Sequence, residues 1–134
     1  MKFFQIIKKL IVPMPVRKIR HGLNTSDLQE IKRKWEEIEQ LMRLGRPSNF
    51  KNAILEADKL LDHVLKLYGY HGSLADKMKS LPRKNFDKEF FDDMWQAHRV
   101  RNEMVHNISY EVQHFEAREA ISRFKRVLRE LGAL

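Results

Sequence analysis

The fold of this chain is decided by the stretch PSNFKNAILEADKLLDHVLKLY, residues 47–68. Its apolar residues recur at intervals of three and four, the spacing that places side chains on one face of an α-helix. Pro47 suits the first turn of such a helix, and Gly69 suits its end. The broad apolar face consists of Phe50, Ala53, Ile54, Ala57, Leu60, Leu61, Val64, Leu65 and Tyr68. Other helices must cover this face.

The same spacing recurs on both sides of this stretch. Before it, a helix capped by Thr25, Ser26 or Asp27 and ended by Gly45 carries the buried stripe Leu28, Ile31, Trp35, Ile38 and Met42. After it, Ser73 is expected to cap a short helix that runs to Ser80 or Leu81. Asp87 is expected to cap a long helix that ends near His106 or Asn107 and carries Phe90, Phe91, Met94, Trp95, Ala97, Val100, Met104 and Val105. A last helix is predicted from about Phe115 to Leu131.

These patterns predict an all-α protein: an up-down bundle of four long helices with a short inserted helix, plus an N-terminal amphipathic helix. We predict a basic N-terminal segment and linker over 1–26 and the bundle over 27–134. The chain has 134 residues and no cysteine, which excludes disulfides and thiolate metal sites and agrees with a cytoplasmic protein.

The basic charge is concentrated in the N-terminal segment. Residues 1–22 hold six basic side chains and no acid, whereas the remaining residues hold 20 basic and 18 acidic side chains. The high overall pI is therefore weak evidence for an RNA-binding cleft in the bundle.

The segment from Met1 to Val12 has the pattern of a short amphipathic helix, too short to span a bilayer. One interpretation is a peripheral contact with the inner face of the membrane, and the other is packing against the bundle or a partner subunit. The residues that would meet lipid are Phe3, Phe4, Ile7, Lys8, Lys9, Leu10 and Ile11.

The end of the third long helix carries the candidate chemistry, Arg101-Asn102-Glu103-Met104-Val105-His106. Histidine can take and give a proton near neutral pH, and arginine offers a charged planar fork for phosphate oxygens. At about 100° per residue, Arg101 and His106 lie about 140° apart around the helix. One helix presents this pair poorly unless it frays near His106, or unless His106 meets the arginine of a second subunit.

The pattern of Arg101, a following Asn102 and a nearby His106 resembles the signature of the HEPN family. The likeness extends from roughly residue 27 to the end of the chain. It implies a dimeric, metal-independent endoribonuclease that needs no cofactor, in defence or stress response. His106 would assist proton transfer while the ribose 2′-hydroxyl attacks the phosphate held by Arg101, and Asn102 would orient either group or the substrate. The product would be a 2′,3′-cyclic phosphate.

A non-catalytic interpretation stays open. Several HEPN-like proteins are binding modules, so the chain could be a helical interaction or RNA-binding module. Arg101 could then simply pair with an acid such as Glu56 or Asp58, and His106 could stabilise the end of its helix.

Other residues are candidates for supporting roles. His98 could join the cleft, and Glu56 or Asp58 could hold Arg101. The candidates for RNA contact are Arg83, Lys84 and Arg99. Asp92, Asp93 and Glu89 have the pattern of an exposed helical face, and no zinc-binding spacing occurs.

One position departs from a subset of the HEPN family. Some HEPN toxins carry a tyrosine two residues after the histidine, which a partner nucleotidyltransferase modifies. Here that position is Ile108, and the nearest tyrosine is Tyr110. Control of that kind is therefore not expected for this chain.

Overall fold

The computed structural model describes residues 22–134, so the expected N-terminal helix and most of the basic linker lie outside the described residues. Within that range every regular element is helical and no strand occurs, which confirms the predicted all-α class. The helices are α1 (Thr25–Leu44), α2 (Pro47–Leu67), α3 (Leu74–Lys79), α4 (Lys88–His106) and α5 (His114–Glu130), with a 3-10 turn at Arg83–Asn85.

The start of α1 differs from the prediction by one residue. Asn24, and not Thr25, Ser26 or Asp27, caps the helix, because its side-chain oxygen accepts the backbone N–H of Asp27 at 2.7 Å. The carboxylate of Asp27 in turn accepts the backbone N–H of Asn24 at 3.3 Å. This reciprocal pair satisfies two amides that a helix start otherwise leaves unbonded.

The other predicted helix boundaries agree with the structure to within a residue or two. Gly45 ends α1 with φ of 79°, a left-handed conformation that costs glycine little. Pro47 is the first residue of α2, and the side chains of Ser73 and Asp87 cap α3 and α4. Each of these residues therefore starts or ends a helix through backbone groups only a few residues away.

Helix α2 is the centre of the bundle, because it packs against α1, α3, α4 and α5. Contacts near both ends of α2 join it to α5 and to the residue that follows α5. At one end the rings of Phe50 and His114 stack with centroids 4.9 Å apart, and at the other the hydroxyl of Tyr68 donates to the carbonyl of Leu131 at 2.5 Å.

The core contains the predicted face of α2 and most of the predicted stripes. Two residues are corrected: Leu28 is 37% exposed and Val105 is 49% exposed. Both lie in terminal turns, Leu28 in the first turn of α1 and Val105 in the last turn of α4. No helix in the described range is both long enough and apolar enough to cross a bilayer.

Candidate active site

A buried carboxylate and a buried imidazole join α2 to α4. Asp58 lies on the apolar stripe of α2, four residues after Ile54, and His98 lies four residues after Met94 on the buried side of α4. Nδ1 of His98 is 2.9 Å from Oδ1 of Asp58. Each is less than a tenth exposed, and a buried polar group needs such a partner.

The same carboxylate contacts Arg101. Nε of Arg101 lies 3.4 Å from the second oxygen, Oδ2, of Asp58. Nη1 of Arg101 donates to Oδ1 of the adjacent Asn102 at 3.0 Å. The Arg101 side chain remains 33% exposed, so the two contacts orient the guanidinium without sealing it from solvent.

These residues line a cavity of about 400 Å³ between α2, the loop before α3, α3 itself and α4. The wall formed by α3 is fixed by Lys77, whose ammonium group donates to Asp62 at 2.6 Å and to the carbonyl of Gly72 at 2.8 Å. Lys77 is buried although it is charged, and a buried cation needs a close anion. The lining residues are Asp58, Lys59, Asp62, Gly72, Ser73, Leu74, Ala75, Lys77, His98, Arg101 and Asn102.

His106 lies away from this cavity. It is exposed, it does not line the cavity, and α4 continues through it to a backbone hydrogen bond from Asn107 to Glu103. The helix therefore does not fray at His106. A rise of about 1.5 Å per residue places His106 about 7.5 Å beyond Arg101 along the axis. Within one chain the structure does not bring Arg101 and His106 together.

Apolar side chains are exposed at the end of α4, in the connection that follows His106 and at the start of α5. Ile108 is fully exposed, Phe115 is 70% exposed, and Val105 precedes His106 in the last turn of α4. The hydroxyl of Tyr110 donates to the carboxylate of Glu116, which ties the connection to α5. Burial, together with this hydrogen bond, raises the pKa of Tyr110 to about 12, so its hydroxyl stays protonated near neutral pH.

The remaining supporting candidates lie elsewhere. Of the two acids considered for Arg101, Asp58 contacts it, whereas Glu56 bonds Lys59 at 3.2 Å on the exposed side of α2. Glu56 is therefore not a partner of Arg101, because its helical position turns its side chain away from α4. Lys84 and Arg99 are exposed, and the guanidinium of Arg83 lies 5.0 Å above the ring of Phe91 near the start of α4. None of these three basic residues lines the cavity.

The prediction that Glu89, Asp92 and Asp93 form an exposed face near the start of α4 is wrong for Asp93. Asp93 is only 8% exposed, whereas Asp92 and Glu89 are exposed. Arg126 of α5 donates to the Asp93 carboxylate through Nε at 2.9 Å and Nη2 at 3.0 Å, and Arg123 adds a contact at 3.2 Å. The hydrogen bonds to Asp93 raise the pKa of Arg126 above its ordinary value. The periodicity of α4 alone could not show that α5 covers this position with arginines.

Sequence reasoning did not identify Lys77, Asp62 and Ser73 as part of the candidate site. Nothing in the short α3 segment signals a buried lysine, because its partner Asp62 is 15 residues earlier. The sequence did indicate a special role for Asp58, because this carboxylate interrupts an apolar stripe between Ile54 and Leu61.

Comparison of the chain with family models, with curated proteins and with solved structures found no match. The described residues also hold no group of three or more histidine or acidic side chains arranged to bind a metal ion.

Proposed function

We propose that this protein is a HEPN-like, metal-independent endoribonuclease that acts as a homodimer. In this proposal Arg101 binds the scissile phosphate and stabilises the negative charge of the transition state. His106 transfers a proton, and Asn102 orients the guanidinium. The ribose 2′-hydroxyl is the nucleophile, and cleavage leaves a 2′,3′-cyclic phosphate and a 5′-hydroxyl.

The observation that carries the proposal is the setting of Arg101. A buried carboxylate on one side and Asn102 on the other hold the guanidinium at the wall of an open cavity. The cavity is lined by three cations, Lys59, Lys77 and Arg101, and two carboxylates, Asp58 and Asp62. A third carboxylate, that of Glu56, lies outside the lining and accepts from Lys59 at 3.2 Å. A preorganised cation in a partly enclosed cavity stabilises a developing phosphate charge better than a mobile one in water. The arrangement therefore suits a phosphodiester.

The position of His106 supports the need for a second copy. Because α4 is intact through His106, fraying does not bring the imidazole to Arg101 of the same chain. The exposed Val105, Ile108 and Phe115 next to it are the kind of apolar surface that a subunit contact covers. In an isologous dimer, contacts at this end of α4 would repeat in both copies and could place each His106 near the other copy's Arg101.

A non-catalytic binding module is the second candidate. One observation favours it: the charge of Arg101 is already countered by Asp58 at 3.4 Å. An arginine held in this manner can bridge helices without touching a substrate. The two candidates differ in whether the chain cleaves RNA at all.

Cleavage of single-stranded RNA in the presence of a chelator tests the proposal. We expect wild type to form 2′,3′-cyclic phosphate ends, and we expect His106→Ala and Arg101→Ala each to lose activity by about 10²-fold or more. His63→Ala and Arg43→Ala are matched controls, because both residues are exposed and lie outside the cavity. If wild type is as inert as both site variants, the binding module is the better description.

A heterodimer tests whether the site is shared between two copies. Arg101→Ala and His106→Ala chains, co-expressed with different affinity tags and purified through both, should recover about half of wild-type activity, because one of the two symmetric sites is intact. Each homodimer of a single variant should stay inactive. A heterodimer as inactive as the homodimers would contradict the shared site, and a monomeric active protein would contradict the dimer.

The finer architecture belongs to this proposal as well. We propose that the four long helices form an up-down bundle with α3 as an insertion, and the contacts from Asp93 to Arg123 and Arg126 agree with antiparallel α4 and α5. Residues 1–12 are proposed either to touch an anionic membrane surface or to pack on protein. Sedimentation with anionic vesicles distinguishes these roles, since equal binding by wild type and a chain lacking residues 1–12 would contradict the membrane contact.

A further inference from the structure

We propose that His98 is the group that accepts the proton of the ribose 2′-hydroxyl, and that Asp58 holds it in the form able to do so. This inference rests on the proposed ribonuclease function, and it assigns a second imidazole to that reaction. His106 of the second copy is then left with the opposite task of giving a proton to the leaving oxygen.

The contact with Asp58 selects the tautomer of His98. A carboxylate can only accept hydrogen bonds. Nδ1 of His98 therefore carries a hydrogen and donates it to Oδ1 of Asp58, which is 2.9 Å away. The neutral ring then has its lone pair on Nε2, the nitrogen that can act as a base. When the ring takes a proton at Nε2, the same carboxylate stabilises the resulting imidazolium.

Nε2 of His98 is available for this role. Among residues 22–134, Nε2 has no hydrogen-bond partner. Within that range the side-chain polar atoms that are fully enclosed and lack a partner are Trp35 Nε1 and Tyr70 Oη, so Nε2 of His98 is not one of these enclosed atoms. His98 lines the same cavity as Arg101 and Asn102, and its side chain is 10% exposed.

The charges around the ring favour a proton acceptor next to a bound phosphate. On α2 the cavity has Asp58, Asp62 and Lys59, on α3 it has Lys77, and on α4 it has Arg101. Asp62 holds Lys77 at 2.6 Å, whereas Asp58 contacts only the Nε edge of Arg101 at 3.4 Å, and the Arg101 side chain stays 33% exposed to a phosphate. A phosphate bound at Arg101 places its ribose close to His98, one helical turn away along α4.

The distance along α4 assigns the two imidazoles to different copies. His98 and His106 are eight residues apart, which corresponds to about 12 Å along the helix axis. Two groups on one helix at that separation do not both contact one phosphodiester. The acceptor therefore comes from the copy that supplies Arg101, and the donor comes from the copy that supplies the exposed His106.

The proposed step balances. The neutral imidazole of His98 takes the 2′-hydroxyl proton at Nε2 while the 2′-oxygen forms a bond to phosphorus. The bond from phosphorus to the 5′-oxygen breaks, and the imidazolium of His106 gives its proton to that oxygen. The products are a 2′,3′-cyclic phosphate and a 5′-hydroxyl. His98 ends protonated and His106 neutral, and exchange with water restores both.

His98→Asn is the decisive variant, because its amide nitrogen can still donate to Asp58 whereas it has no titratable nitrogen. We expect the variant to keep its helical circular dichroism and to bind a 2′-deoxy RNA analogue within about threefold of wild type. Its kcat should fall by about 10²- to 10⁴-fold. The acidic limb of the pH–rate profile, where wild type gains activity as the base loses its proton, should disappear.

A heterodimer of His98→Asn and His106→Ala chains adds a test that a purely structural His98 would not pass. It retains one intact site and should show about half of wild-type activity. The heterodimer of His98→Asn and Arg101→Ala is the matched negative control, because both lost groups belong to the same half-site and neither site is complete.

The outcomes separate the two proposals. A wild type that does not cleave RNA overturns the ribonuclease and, with it, the role of His98. An active wild type overturns only the role of His98 if the His98→Asn variant retains wild-type kcat and the acidic limb. Equal recovery in both heterodimers would also overturn the assignment of His98 to the Arg101 copy.

Discussion

Asp58 and Asp93 are two buried aspartates that serve this bundle in different ways. Asp93 joins α4 to α5 and receives two arginines, one of them through two hydrogen bonds. Asp58 joins α2 to α4 and receives one arginine and one histidine. The partners of Asp93 are both guanidinium groups, whereas one partner of Asp58 is an imidazole, a side chain that serves as an acid or a base in proton transfer.

The surfaces beside the two aspartates also differ in charge. The cavity of about 260 Å³ at Asp93 is lined by four carboxylates, Asp87, Glu89, Asp93 and Glu130, and by two arginines. The cavity at Asp58 is lined by three cations and two carboxylates, and the carboxylate of Glu56 outside the lining accepts from one of these cations, Lys59. Phosphate would be repelled from the first surface and attracted to the second. A buried ion cluster is therefore not by itself a sign of function; a titratable partner and an open, positive surface are needed as well.

The largest difference between the two aspartates should be seen in RNA cleavage. We expect Asp58→Asn to lower kcat by about 10²-fold or more, because an amide neither stabilises the His98 imidazolium nor holds Arg101. RNA binding should be equal or tighter, since the carboxylate that counters Arg101 is lost. Asp93→Asn should stay within about threefold of wild type in kcat. Steady-state cleavage in chelator and binding of a 2′-deoxy analogue measure both quantities, and equal losses of kcat in the two variants would remove the functional distinction.

The second difference concerns stability and its dependence on pH. Asp93→Ala should lower the free energy of unfolding by about 2 kcal/mol, because it removes charge-assisted hydrogen bonds from two partly exposed arginines. The pKa of Arg126 is raised, so its contribution is complete below the ordinary pKa of arginine and is lost only as the pH rises through the raised pKa.

Urea unfolding at pH 6 and at pH 9 should therefore give the same loss for Asp93→Ala. A matched control is Asp92→Ala, whose carboxylate is exposed and pairs with the exposed Lys88 at 3.2 Å. A loss at pH 6 that vanishes at pH 9 would show that the Asp93 cluster titrates, and the contrast with Asp58 would then be wrong.

The smallest predicted effect is on stability, and it distinguishes the loss of a hydrogen-bonded tyrosine hydroxyl from the loss of a buried one that has no partner in the described chain. Tyr68 donates to the carbonyl of Leu131, whereas the buried hydroxyl of Tyr70 has no partner in the described chain, and burial raises the pKa of Tyr70. Tyr68→Phe should lower the free energy of unfolding by about 1 kcal/mol, and Tyr70→Phe should leave it unchanged or raise it by up to about 1 kcal/mol. Opposite shifts of the urea midpoint check this prediction. A clear loss in Tyr70→Phe would mean that its hydroxyl has a partner after all.

Much of the fold follows from local sequence signals. Gly45, Pro47, Ser73 and Asp87 mark helix boundaries because each acts on backbone groups within a few residues. Asn24 was missed because four neighbouring residues can all serve as caps, and only the backbone geometry selects one. Val105 fits the apolar pattern of α4, but the pattern does not show where the neighbouring helices stop covering it.

The candidate site was predictable only in part. The run from Arg101 to His106 identified a charged fork and an imidazole, but it did not show that an intact helix keeps them apart in one chain. The sequence offered two acids for Arg101, and the twist of α2 decides for Asp58 over Glu56, which is two residues earlier and therefore points away from α4. Lys77 carried no signal, since its role depends on where the loop before α3 meets α2.

By itself, the sequence determined that the described chain is helical, where most helices begin and end, and which faces are apolar. These properties depend on backbone hydrogen bonds and side-chain spacing within a few residues. Only the tertiary structure decided that Asp58 serves His98 and Arg101 and that Asp93 serves two arginines. Those pairings join residues 30 to 43 positions apart, and their geometry depends on how α2, α4 and α5 pack.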